Sequence, residues 1–168
     1  MKKTAIIYSF NSVKTGQAAR LIQENFGEKH VEMVNAEDIT GEKFLHYKNL
    51  ILGVPTWFDG EIPNYWDEFI PELEEFDLKG YRVAIFGPGD QKNYPENFVD
   101  GIGIMGKLLE ERGAKLVGFT PASGYSFEKS HALRGDLFMG LPLDFENQSS
   151  KNKERIRKWV EQLKTEFE

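Results

Sequence analysis

Short, continuously apolar runs alternate along this chain with segments whose apolar residues recur every three to four positions. These are the signatures of buried strands and of one-sided helices. Ala5-Ile6-Ile7-Tyr8, Val31 to Val34, Leu50-Ile51-Leu52-Gly53-Val54 and Val83-Ala84-Ile85-Phe86 read as four strands, with a fifth near Leu116-Val117-Gly118. Ala18, Ala19, Leu21, Ile22 and Phe26 share a helical face that Gly27 ends, and Trp66, Phe69, Ile70 and Leu73 share another. Ile104, Leu108 and Leu109 lead a third helix to Gly113, and Ile156, Trp159, Val160 and Leu163 mark the last. Apolar strands separated by helices predict a parallel sheet covered on both faces. We expect one doubly wound α/β domain over residues 1–168. The stretch from about Thr120 to Asn147 lacks a clear period and reads as an insertion in or beside the fifth strand.

Composition narrows the function. The 168 residues carry 21 basic and 27 acidic side chains, a net charge of −6, and no cysteine. The last point excludes a disulfide framework, a thiolate zinc site and an iron–sulfur cluster. The acidic balance argues against nucleic acid, whose phosphates call for a basic footprint. No run approaches the ~20 apolar residues of a membrane helix, and the apolar run after Met1-Lys2-Lys3 is too short for a signal peptide. A cytoplasmic protein is expected, and a monomer, because no broad apolar stripe is evident.

In a doubly wound sheet, ligands bind beyond the carboxyl ends of the strands, which selects three loops. The first is Ser9-Phe10-Asn11-Ser12-Val13-Lys14-Thr15, running into a helix. Its hydroxyls and amide beside helix-terminal N–H groups suit an anion, although Ser12 or Thr15 capping the helix explains it equally. The second is Pro55-Thr56-Trp57-Phe58-Asp59-Gly60-Glu61, where Trp57 is either a platform for a flat ligand or a lid on the core. The third is Gly87-Pro88-Gly89-Asp90-Gln91-Lys92-Asn93-Tyr94 with Asn97, adding a second aromatic, an acid and amides. Two aromatics, an anion loop and amide donors on one side of a sheet suit a phosphorylated aromatic cofactor.

Pro55-Thr56-Trp57, Gly87 to Gln91 with Tyr94 and Asn97, Gly124-Tyr125, Gly140 to Gln148 and Arg155 to Val160 occur in that order. In this arrangement the chain resembles the long-chain flavodoxins over essentially its whole length. The resemblance implies a flavodoxin-like, three-layer α/β/α fold. Its five-stranded parallel sheet has order 2-1-3-4-5, with an insertion in the fifth strand. It also implies non-covalent FMN, with the phosphate on Phe10, Asn11, Ser12, Val13, Lys14 and Thr15. The isoalloxazine would lie between Trp57 inside and Tyr94 outside. Thr56, Gly60, Asp90 and Asn97 would meet the ring edge and ribityl chain, with Glu146 near the latter. Ser9, Pro55, Phe58, Asp59, Gly87 and Gly89 complete the expected binding set. No catalytic residue or metal ligand is expected. The implied role is low-potential electron transfer between redox proteins. The alternative is an FMN-dependent reductase acting by hydride transfer on a small or tetrapyrrole-like substrate. A receiver-type signalling domain is rejected, because its acidic pocket would fall on Ser9-Phe10 and Pro55-Thr56-Trp57.

Two positions depart from the family pattern. Its first loop reads Ser/Thr-x-Thr-Gly-x-Thr, whereas this chain has Phe10 and Val13 at the first and glycine places. Losing one hydrogen bond to a charged group costs ~1.5–3 kcal/mol, or about one to two orders of magnitude in affinity. Lys14 offsets part of that loss. In the turn after the tryptophan, the family flips a peptide to accept a hydrogen bond from the reduced flavin. That conformation wants positive φ, which is costly at Phe58. We therefore expect the flip to be disfavoured and the one-electron-reduced form to be weakly stabilised.

Charge completes the picture. From Asp59 to Asp77 there are eight acids and no Lys or Arg. Beginning at the flavin loop, this run would steer basic-surfaced redox partners and lower the cofactor's potential. The basic residues Lys151, Lys153, Arg155, Arg157 and Lys158 read as an ordinary amphipathic surface. His30, His46 and His131 lack metal-ligand spacing. His131, with Phe127, Phe138 and Met139 close in sequence, reads as packed or solvent-facing rather than as a tetrapyrrole ligand.

Overall fold

The computed structural model describes residues 3–167, so Met1, Lys2 and Glu168 lie outside the described residues. Four strands stand side by side: β1 (Thr4–Tyr8), β2 (Val31–Asn35), β3 (Asn49–Gly53) and β4 (Arg82–Pro88). They are all parallel, in the order β2-β1-β3-β4. The fifth position is shared. β5 (Lys115–Leu116) pairs with Arg82 and Val83 at the start of β4, and β9 (Leu141–Leu143) pairs with Phe86 to Pro88 at its end. Between them β6 (Thr120–Pro121), β7 (Leu133–Arg134) and β8 (Leu137–Phe138) form a small antiparallel sheet of order β6-β8-β7. The order 2-1-3-4-5 and the insertion in the fifth strand are as expected.

Strand pleating sends alternate residues to opposite faces, and two apolar clusters follow. Ile6, Tyr8, Ile51, Ala84 and Phe86 pack against α1 (Lys14–Phe26) and α6 (Ser149–Glu166). Ala18, Ala19 and Ile22 come from the first helix, and Ile156, Trp159, Val160 and Leu163 from the second. On the other face Ala5, Ile7, Leu50, Leu52, Val83 and Ile85 pack with Phe44, Trp66, Phe98 and α5 (Asp100–Glu111). Gly27 ends α1 at φ 97°, where the absence of a Cβ makes positive φ inexpensive.

Several elements differ from expectation. α1 begins at Lys14, so the first loop is shorter than its sequence suggests. The single helix expected around Trp66 is two one-turn helices, α3 (Asn64–Asp67) and α4 (Ile70–Leu73). Pro71, which has no N–H to donate, sits in the first turn of the second. A 3-10 turn (Ala36–Asp38) and a short α2 (Gly41–Leu45) follow β2. In α5 the buried face carries Ile102, Met105 and Leu109, while Ile104 and Leu108 are only partly buried. Gly101, Gly103 and Gly106 on that helix let Pro55, His131 and Met139 approach closely, a contact that apolar counting does not register.

Candidate cofactor site

The ends of β1, β3 and β4 meet at two cavities with Trp57 as a common wall. One, of about 430 Å³, is lined by Ser9, Asn11, Ser12, Val13, Lys14, Thr15, Pro55 and Trp57 together with Glu37 and Tyr65. The other, of about 380 Å³, is lined by Thr56, Trp57, Phe58, Gly89, Asp90, Tyr94 and Asn97 with Phe98 and Val99. Both fall within the range of small-molecule sites.

The first cavity sits over the start of α1. Val13 holds the N-cap position, and among the described residues no side chain caps that helix. Ser12 lies one residue before the cap position, and its Oγ donates to the Ser9 carbonyl at 2.6 Å. The loop is tied down in other ways. Phe10 N donates to Asn35 Oδ1 at 3.1 Å, Asn11 N to Ser9 Oγ at 3.2 Å, and Ser12 N to Ser9 O at 3.1 Å. A helix start that is open to a cavity and lacks a side-chain cap has its first N–H groups and its dipole available to an anion. Glu37 is also present. Its carboxylate accepts from Ser9 Oγ and from Asn11 Nδ2, and these bonds hold it below the usual carboxylate range.

The second cavity is aromatic and amide-rich. Trp57 and Tyr94 are exposed on it, and Trp57 is braced edge-on by Tyr65, with ring centroids 5.9 Å apart. Trp57 and Glu61 exchange both backbone hydrogen bonds, at 2.7 and 2.8 Å, closing a tight turn over Phe58, Asp59 and Gly60. That turn is fastened to the third loop where Asn97 Nδ2 donates to the Asp59 carbonyl at 3.3 Å. Gly101 N at the start of α5 donates to Thr56 Oγ1 at 2.9 Å. The third loop is held in turn by the insertion. Glu128 and Lys129 donate their N–H groups to the Pro95 carbonyl, and Ser126 N donates to Gln91 Oε1. Gln91 donates from N and Nε2 to the fully buried Asp144, whose carboxylate also accepts from Asn147. Asp90 accepts from Lys92, Asn93 and Asn147; burial raises its pKa, but these bonds outweigh burial and the carboxyl lies below its ordinary value.

Five residues of the expected set line neither cavity. The Phe10 ring turns out to solvent against Tyr8, with centroids 5.1 Å apart. Asp59 contributes its carbonyl to Asn97, and Gly60 lies beneath the turn against Asn97 and Asp100. Gly87 is a packing position, since a Cβ there would meet the Val54 carbonyl at 2.2 Å. Glu146 is ion-paired with Lys14. The cation expected to offset the altered first loop is therefore already paired. Glu37, Tyr65, Phe98 and Val99 were not singled out in the sequence. Only the proximity of β2 to β1 could have suggested Glu37.

Phe58 sits at φ 50°, in the left-handed region that is costly for a residue with a Cβ. The two-way Trp57–Glu61 bonds and Gly60 at φ 90° over-determine the turn and hold the strain. His131 is largely exposed, with Nε2 3.9 Å from Asp100 Oδ2 and its backbone N–H on Asp100 Oδ1. Among the described residues no group of three or more His, Asp or Glu could hold a metal ion.

The profile of the flavodoxin family matches residues 6–159. A flavodoxin of Nostoc is 40% identical over 166 residues, covering 99% of this chain and 98% of that one. Flavodoxin 1 of Escherichia coli is 39% identical over 168 residues, covering 99% and 96%. Among solved structures, the Fusobacterium nucleatum flavodoxin bound to flavin mononucleotide superposes with a TM-score of 0.94 at 31% identity, covering 100% of both chains. A lysine-to-glycine mutant of that protein, also bound to flavin mononucleotide, superposes with a TM-score of 0.94. The chain described here belongs to the flavodoxin family.

Proposed function

We propose that the two cavities form one FMN site, with the phosphate at the head of α1 and the isoalloxazine between Trp57 and Tyr94. The observation that carries this reading is the start of α1, uncapped by any described side chain and open to a cavity whose far wall is Trp57. An anion and a flat ring system joined by a chain is the shape of ligand that these walls accept. The N–H groups of the first helical turn would take the phosphate, with the Ser12 and Thr15 hydroxyls beside them. Thr56, Asp90 and Asn97 would surround the ring edge and ribityl chain. Ser9, Phe10, Asp59, Gly60 and Gly87 would support the loops from behind.

The chain is an FMN-binding electron-transfer protein that serves redox partner proteins. When bound, FMN supplies the reversible electron chemistry. The protein would position the cofactor, flank the ring with Trp57 and Tyr94 and set the surrounding charge. The reductase alternative is not favoured, since the curated relatives are flavodoxins. All eight acids between Asp59 and Asp77 are exposed, which supports partners with basic surfaces and association that weakens with salt. Phe10, Val13, Trp57, Phe58 and Tyr94 add exposed apolar area on the same loops. Among the described residues no helix is long and apolar enough to cross a membrane. A single domain acting as a cytoplasmic monomer completes the reading. Titrating the protein with FMN and following its visible absorption tests it. The expected result is saturable one-to-one binding with a perturbed flavin spectrum, lost in Trp57→Ala. A flavin spectrum unchanged by excess protein would overturn it.

A further inference from the structure

Glu37 stands on the 3-10 turn after β2, outside the three loops at the ends of β1, β3 and β4, yet it lines the cavity at the head of α1. Its carboxylate holds both Ser9 Oγ and Asn11 Nδ2, two side-chain donors of the first loop. The loop's cation is held as well, by Glu146. The Ser12 hydroxyl donates to the Ser9 carbonyl. Most side-chain groups that could grip an incoming anion are thus engaged within the protein, leaving the Thr15 hydroxyl and the backbone at the start of α1. A carboxylate in such a place acts twice. It withholds donors, and it adds a negative charge where a phosphoryl dianion would sit.

Building on the FMN reading above, we propose that Glu37 is a specificity-determining residue of the phosphate cavity. It narrows the preference for a phosphorylated flavin over the same flavin without phosphate. Ring binding by Trp57 and Tyr94 is common to both ligands and is unaffected, so the effect of Glu37 appears only in their difference. Because Glu37 is exposed, its charge is screened and its effect is modest and salt-dependent.

The test is to titrate flavin-free protein with FMN and separately with riboflavin, following quenching of flavin fluorescence. Wild type, Glu37→Gln and Glu37→Ala are compared at low and high salt. Gln keeps an oxygen for Ser9 while removing the charge; Ala also releases both donors. Each variant's melting temperature serves as the folding control. For both variants the FMN dissociation constant is expected to fall by about three- to tenfold. Riboflavin should stay within about twofold, and the FMN gain should shrink with added salt. Equal changes for the two flavins, no change for FMN, or weaker FMN binding in both variants would overturn the proposal. The last result would make Glu37 an organiser of the loop. Wild-type protein that binds neither flavin would instead overturn the FMN reading itself, and this proposal with it.

Discussion

A methyl group on the Gly60 α-carbon would lie 2.7 Å from Asp100 Oδ2, so the turn after Trp57 rests directly on the buried carboxylate at the start of α5. Gly60 also holds φ 90°, a conformation in which side chains are strained. Gly60→Ala therefore meets two penalties at once and should cost about 2–3 kcal/mol of stability. Urea unfolding measures that loss. FMN titration should show weaker binding of the ring, while a phosphate-site effect would leave riboflavin affinity intact.

Phe58 holds a left-handed backbone at φ 50°, and the two-way Trp57–Glu61 hydrogen bonds fix the turn that carries it, so the same conformational cost is expected in both redox states. Phe58→Gly should relieve the strain and raise stability by about 1 kcal/mol, read from the urea midpoint. The gap between the two one-electron reduction potentials should move by less than about 59 mV, the one-electron equivalent of tenfold. A larger change would mean that Phe58 reaches positive φ at an energetic cost that depends on the redox state.

Burial pushes the Tyr125 phenol up to about 12, with Arg155 opposing and Asp144 adding to the shift. Its hydroxyl donates to the Pro142 carbonyl at 2.7 Å. A folded-state pKa above the unfolded value of 10.0 contributes stability that is present below pH 10 and lost as pH rises through about 12. The denaturation midpoint should fall over that interval by an amount equivalent to about 2–3 kcal/mol. Tyr125→Phe should lose about 1 kcal/mol at neutral pH, for the missing hydrogen bond, and should show a shallower alkaline fall.

Asn152 on α6 is buried, and neither Oδ1 nor Nδ2 has a hydrogen-bond partner among the described residues. Buried polar atoms without partners cost about 1–3 kcal/mol. Asn152→Leu, which keeps the branched outline without the polar atoms, should shift the urea midpoint upward without changing the slope. A lower midpoint would show that the amide is satisfied by a buried water.

Much of the fold could be read along the chain wherever local chemistry dictates structure. Gly27 stops α1 and Pro55 follows the end of β3, whereas β4 runs on through Gly87 and Pro88, which pair with Pro142 and Leu143 of β9. The face of α6 through Ile156, Trp159 and Leu163 follows the helical period. Reading failed where a neighbour in space decides. The buried face of α5 is set by glycines pressed against other segments, and Val99 is held at φ 47° at the head of that helix. The three loops were legible because strand ends define them. Glu37 was not, since β2 brings it in from the side through contacts with Ser9 and Asn11 that no spacing encodes. Pairing of Lys14 with Glu146 was hidden for the same reason, the two being joined only where the loop after β9 passes the start of α1.

The division of the fifth position between β5 and β9 has a consequence for how this protein behaves in a crowded solution. An outermost strand presents a row of unpaired amides and carbonyls that another chain can adopt as a template. Here that row is cut into a piece of two residues and a piece of three, with the folded insertion rising between them. Neither piece is long enough to seed intermolecular pairing. The interruption that carries the buttress for the third loop also guards this side of the sheet against aggregation.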